Sequence, residues 1–162
     1  MTAAHFSPDT WEFVRLLDAH RVRFVVVGGE AVIHYGHARL TGDVDFFYGR
    51  DPENAARLFD ALLAFWDGDV PGVEGAAELQ VEGQVIQFGR PPNRIDLLSD
   101  ISGVAFEDAW RSRQTVVADD GTPVHLISLP LLIENKEASA RAKDLDDVAF
   151  LRAALRRAGD ED

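Results

Sequence analysis

Asp43 and Asp45 flank a single valine in the segment "GDVDFFYG", residues 42–49. Alternation along a strand puts both carboxylates on one face and turns Val44 to the other. Two like charges ~4 Å apart repel by about 4 kcal/mol at the effective dielectric of a protein surface. The pair therefore needs a neutralising partner. A hard divalent cation, most simply Mg2+, suits it because such ions take oxygen ligands. An exposed strand end is the alternative. Asp96, in "NRIDLLSD", adds a third carboxylate inside another apolar strand pattern. If the two strands are neighbours, three carboxylates converge. Such a triad can hold two metals about 4 Å apart, an arrangement that supports in-line phosphoryl or nucleotidyl transfer. A salt bridge from Asp96 to Arg94 or another cation is the competing explanation.

Glycines supply a second feature. The segment "RFVVVGG" ends in Gly28-Gly29, just before a short helical stretch. Backbone N–H groups at a helix start lie at the positive end of its dipole, and glycine lets phosphate oxygens approach closely. An ordinary tight turn is the other reading of a glycine pair. The pattern is neither a P-loop nor a dinucleotide fingerprint.

The elements that must position these residues can be read from capping signals and periodicity. "SPDTWEFVRLLDAH" is a helix with Ser7 as N-cap, Pro8 at its first position and an apolar face of Trp11, Val14, Leu16 and Leu17. "RFVVVGG" is a strand buried on both sides, "EAVIHYGH" a short helix and "GDVDFFYG" a strand. "DPENAARLFDALLAFW" is a helix capped by Asp51 with Pro52 following. Residues 67–75, rich in Gly and Asp, form a loop, and "AELQVEGQVIQFG" suggests a hairpin about Glu82-Gly83. "NRIDLLSD" is a strand after the "RPPN" turn, and "AFEDAWRSR" is a short helix. Two strands meet about Asp120-Gly121, and the stretch from Leu129 onward is helical in two pieces. The order describes a mixed α/β or α+β domain.

Composition bounds what this domain does. A chain of 162 residues suits one domain with a real core. It has no cysteine, which excludes disulfides and thiolate metal sites. No apolar run approaches the ~18 residues of a membrane span, and the N-terminus lacks a basic segment followed by an apolar one. We therefore expect a cytoplasmic protein with no membrane partner. The net charge of −12 gives no general attraction for nucleic-acid phosphates. Basic residues cluster locally at 111–113, 136–143 and 152–157, where a solvated helix face is the plain reading. His34 and His37 share a face of the short helix, but without cysteine or a third nearby histidine they read as packing or cleft-lining residues rather than zinc ligands. Tyr35, Trp66 and Trp110 read as core.

Taken together, Gly28-Gly29, a short helix, and Thr41-Gly42-Asp43-Val44-Asp45-Phe46 resemble the signature of the DNA polymerase β-like nucleotidyltransferase superfamily, with Asp96 as its later third carboxylate. The flavour "GGEAVIHYGHARLTGDVDFF" is similar to bacterial nucleotidyltransferases related to the abortive-infection AbiE toxin, whose Arg-x-Thr-x-Asp-x-Asp pattern is matched by Arg39, Thr41, Asp43 and Asp45. In "ENKEASARAKDLDDVAFL", Lys136, Arg141, Lys143, Asp144 and Asp147 match a helical pattern of those relatives. The resemblance covers about residues 22–151. Glu30 departs from the small or apolar residue usual there, and AbiE-type toxins are usually larger, so toxin identity does not follow.

The resemblance implies an α+β nucleotidyltransferase-like mixed sheet, with helices packed on one face and a C-terminal helical segment. It implies a single domain over 1–162, with a core at 22–125 and helices at 128–158. Asp43, Asp45 and Asp96 would be the catalytic, metal-binding carboxylates for two Mg2+ ions, with Mn2+ as a substitute. Asp96 would also act as the base toward an acceptor hydroxyl. Gly28, Gly29, Arg39, Thr41, Lys136 and Lys143 would bind the nucleotide. The implied reaction moves an NMP from an NTP to a hydroxyl on a small molecule, a protein or a tRNA. The alternative is a non-catalytic nucleotide-binding protein, or a toxin–antitoxin partner, of the same fold.

Overall fold

Capping residues set where the helices start. The computed structural model describes residues 6–38, 41–91 and 93–160. Ser7 accepts a hydrogen bond from the Thr10 N–H and Pro8 opens α1 (Pro8–Ala19). Proline's fixed φ and missing N–H suit this first turn. After β1 (Phe24–Val27), α2 (Gly28–His34) and β2 (Asp43–Tyr48), Asp51 and Pro52 repeat the device at α3 (Pro52–Phe65), where Asp51 accepts from Asn54 N–H. Then come β3 (Val85–Phe88), β4 (Arg94–Leu98), α4 (Phe106–Arg111), β5 (Gln114–Val117) and β6 (Pro123–Leu126). The chain ends in α5 (Leu129–Ser139) and α6 (Ala142–Asp160), divided at Ala140 by a left-handed φ of 52°.

The six strands make one mixed sheet in the order β3-β4-β2-β1-β6-β5. β2 runs parallel to β4 and β1 parallel to β6, while the remaining neighbours are antiparallel. The fold is thus the mixed α+β class expected, with a C-terminal helical segment.

The layering is fuller than a one-face cover, because β1 is apolar on both sides. Phe24 and Val26 join Val44, Phe46 and Tyr48 in a core closed by α1 and α3. Val25, Val27 and Phe47 join a second core closed by α2, α4, α5 and α6. On α1 the buried stripe is Thr10, Phe13, Val14 and Leu17, with Trp11 and Leu16 at its flank. Phe13 sets its edge against Phe46 with ring centroids 5.3 Å apart, the edge-to-face geometry that aromatic pairs prefer.

A second sequence expectation also fails. No hairpin forms about Glu82-Gly83. Ala76–Gln80 makes a 3-10 turn instead, and β3 pairs antiparallel with β4. In the first half of that stretch only Leu79 reaches the core, and Val81 stays 51% exposed. The alternation of residue types there has no buried face to stabilise a strand. Among the described residues, no helix is long and apolar enough to cross a membrane.

Candidate metal and phosphate site

Sheet register brings the three carboxylates together. β2 and β4 are parallel neighbours with Asp45 opposite Asp96 and Asp43 opposite Arg94. Val44, Ile95 and Leu97 face the α1/α3 core, so Asp43, Asp45 and Asp96 share the other face. Each offers an oxygen, and these oxygens lie within 4.8 Å of one another. They line a cleft of about 250 Å³.

Arg94 shares that face, two residues before Asp96. Its Nε donates to Asp96 Oδ1 at 2.9 Å, and its Nη2 donates to Asp96 Oδ2 at 3.1 Å and to Asp43 Oδ2 at 2.9 Å. The ion pair weighed as an alternative for Asp96 is therefore real, and it extends to Asp43. It does not balance the site. Among the described residues, three carboxylates pair with one guanidinium, which leaves two negative charges.

Protonation responds to that imbalance. Burial, then the charges of Asp43 and Asp96, push the Asp45 carboxyl up to about 8. Burial also raises Asp96, against the pull of Arg94. Asp43 goes the other way, because hydrogen bonds from Asp96, Asp45 and Arg94 outweigh its burial. Without a cation, a proton on Asp45 relieves the repulsion. The donor set is three hard oxygen ligands with two uncompensated charges, which fits a divalent ion such as Mg2+.

The glycine pair makes room for these groups. Val27 lies opposite Asp45 across β1 and β2, so Gly28 abuts the carboxylate. A Cβ on Gly28 would sit 2.2 Å from Asp45 Oδ2, and its φ of +67° disfavours any other residue. A Cβ on Gly29 would sit 2.8 Å from Thr41 Oγ1. Thr41 in turn donates toward the Asp43 carbonyl at 3.0 Å and Asp43 Oδ1 at 3.2 Å. The pair thus serves the carboxylates directly, a duty that spacing alone does not reveal.

The wall opposite the sheet comes from α5, α6 and the link between them. Lys136, Arg141 and Lys143 all line the cleft. Lys136 is buried, and its Nζ lies 3.1 Å from Asp144 Oδ1 and 3.4 Å from Asp147 Oδ2. Arg141 Nε donates to Asp144 Oδ2 at 2.7 Å, and Ser139 Oγ donates to the same oxygen at 3.0 Å. Burial alone would raise Asp144, but the bonds from Arg141 and Lys136 hold it below the usual carboxylate range. Lys143 is exposed at the rim.

Of the nine residues singled out in the sequence, eight line this cleft: Gly28, Gly29, Thr41, Asp43, Asp45, Asp96, Lys136 and Lys143. Arg39 lies outside the described residues. Arg141 appears in the sequence only as part of the helical pattern, and Arg94 only as a salt-bridge candidate. The signal for Arg94 is its two-residue spacing from Asp96 on a strand, which puts both on one face. Gln87, whose Nε2 is 3.4 Å from Asp96 Oδ2, depends on strand register and leaves no local signal.

His34 and His37 go to different partners. His34 Nε2 bonds Gln114 Oε1 at 2.9 Å, and His37 Nε2 lies 3.8 Å from Asp147 Oδ1. Tyr35 packs in the core and donates to the Ile127 carbonyl at 2.7 Å. No protein-family model matches this chain, and no curated protein matches its sequence.

Proposed function

We propose that the chain is a Mg2+-dependent nucleotidyltransferase that moves an NMP from an NTP to a hydroxyl acceptor. One observation carries the reading: Asp43, Asp45 and Asp96 converge on a cleft where Arg94 alone among the described residues pairs with them, and Lys136, Arg141 and Lys143 line the same cleft. The resemblance of Gly28-Gly29 and Thr41-x-Asp43-x-Asp45 to the nucleotidyltransferase signature supports it. A bound Mg2+ supplies charge neutralisation for a triphosphate and for the developing pyrophosphate.

The chain's own groups do the rest. Asp43, Asp45 and Asp96 hold the ion. Thr41 orients Asp43 through its hydroxyl. Gly28 keeps Asp45 in the cleft by having no Cβ. Lys143 and Arg141 attract the phosphates from the rim, Arg141 being oriented by Asp144. Lys136, held by Asp144 and Asp147, fixes the wall they project from. In the reaction, the acceptor oxygen bonds to the α-phosphorus, the bond to the bridging oxygen of the β-phosphate breaks, and pyrophosphate leaves. The hydroxyl proton passes to the carboxylate cluster, to Asp96 in the expectation above. The acceptor is a small molecule, a protein side chain or a tRNA 3′ end. The −12 charge disfavours tRNA by weakening non-specific attraction. A cytoplasmic location goes with NTP as the donor.

A second reading has its own support. Arg94 pairs with two of the three carboxylates, as a non-catalytic nucleotide-binding protein or a toxin–antitoxin partner of this fold would allow. The test is label transfer from each α-labelled NTP with Mg2+ and a cell extract, beside an Asp43→Ala/Asp45→Ala variant. The proposal expects transfer that the variant loses. Stabilisation by NTP with Mg2+ but no transfer supports the second reading. Equal transfer by both proteins overturns the assignment of these carboxylates.

A further inference from the structure

Two-metal sites use carboxylates that offer separate oxygens to two ions about 4 Å apart. Here the bridging positions are partly taken. Both oxygens of Asp96 accept from Arg94, through Nε at 2.9 Å and Nη2 at 3.1 Å. The same Nη2 donates to Asp43 Oδ2 at 2.9 Å. Asp43 Oδ1 accepts from the Thr41 hydroxyl at 3.2 Å. The guanidinium therefore bridges Asp43 and Asp96 from one side, and a second cation joining those two carboxylates would compete with it for the same oxygens. A planar fork with fixed donors suits this bridging, and arginine keeps its charge at every physiological pH.

Charge points the same way. Among the described residues, the cluster with Arg94 in place keeps two negative charges, which one divalent ion closes.

We infer that Arg94 stands in for one of two cations, so that the site takes a single divalent ion, held by Asp45 with Asp43 and Asp96. This rests on the metal-dependent reading above and replaces its two-ion expectation. Arg94 is then a positioning residue. It holds Asp43 and Asp96 at the spacing the ion needs, and it supplies permanently the charge that a second ion would bring.

The experiment counts ions. The full chain is dialysed against Mn2+ with a non-hydrolysable NTP analogue, and bound Mn2+ per chain is measured with the electron paramagnetic resonance spectrum. The inference expects one ion and an uncoupled spectrum for the wild type, and two coupled ions for Arg94→Ala. Two coupled ions in the wild type overturn it. So does a single ion in an Arg94→Ala protein that is folded by circular dichroism. If that variant does not fold, the Nε–H resonance of Arg94 in isotope-labelled wild type decides the matter. Its persistence at Mg2+ saturation supports the inference, and its loss to solvent exchange means the ion displaces the guanidinium and overturns it. No bound Mn2+ in the wild type removes the metal reading itself, an outcome distinct from the two-ion result.

Discussion

Two groups of aspartates line or back the same cleft, and they are built differently. On the strands, Asp43, Asp45 and Asp96 share one cation, Arg94. On the helices, Asp144 and Asp147 meet Lys136 and Arg141, and Ser139 adds a hydroxyl to Asp144. Among the described residues, the two helical aspartates meet two full cations, Lys136 and Arg141. The strand group is two charges short. Protonation records the contrast: Asp144 is held below the usual carboxylate range, whereas Asp45 is pushed up to about 8. Acidic residues close together do not by themselves mark a functional site. What separates these two groups is the charge left after their partners among the described residues are counted.

The largest effect should come from breaking the balanced group. Lys136→Met leaves Asp144 and Asp147 buried without their shared ammonium. Removing one member of a buried ion pair costs about 3–5 kcal/mol, or a Tm lower by about 10 °C for a chain of this size. Urea denaturation checks it. A cost near that of an exposed lysine would mean that Lys136 does not hold α5 to α6 through Asp144 and Asp147.

Gly28 gives the next effect and links backbone to cluster. In Gly28→Ala the residue must hold a left-handed φ, at about 1–2 kcal/mol, and its Cβ meets Asp45 Oδ2 at 2.2 Å. Gly72→Ala is the control, with a φ of +75° and no atom within 4 Å. Thermal melts should show Gly28→Ala the less stable of the two. The Mg2+ response should vanish in Gly28→Ala and survive in Gly72→Ala. Equal behaviour would detach the glycine from the site.

Opposite pH slopes are the smallest effect. Asp45 has its folded value raised, from 3.8 to about 8. The folded state then binds more protons than the unfolded chain across that window, so stability of the metal-free protein falls as pH rises through it. Asp144 has its folded value lowered. Its contribution is present above the unfolded value and is lost as pH falls toward the folded one. In chelator, Asp45→Asn should flatten the stability slope between pH 5 and 8, and Asp144→Asn should flatten the slope only on the acid side. Denaturation midpoints of the three proteins across pH measure both. An unchanged neutral slope in Asp45→Asn would contradict the imbalance.

Much of this was legible in the sequence because local signals carry it. Ser7-Pro8 and Asp51-Pro52 fix helix starts, and the two-residue spacing of Asp43 and Asp45 fixes their common face. Asp96 was legible only as a conditional, since its meeting with Asp45 depends on β4 lying beside β2. That is a long-range pairing that no local pattern encodes. Lys136 reads in sequence as a phosphate ligand, but its ammonium is held by aspartates 8 and 11 residues later, across the break at Ala140. The failed hairpin at Glu82-Gly83 has the same lesson. Alternation specifies a strand only where a core waits for one face, and there Leu79 alone finds it.

The central proposal is that the strand cluster, two positive charges short among the described residues, takes a divalent cation, whereas the helical cluster, met by Lys136 and Arg141, does not. Its most direct test is the Tm at pH 8 as Mg2+ is titrated into chelator-treated protein, for wild type, Asp45→Asn and Asp147→Asn. The account predicts a saturable rise in the wild type and in Asp147→Asn from its lower starting point, and no rise in Asp45→Asn. A flat wild-type titration, or an equal rise in Asp45→Asn, would contradict it.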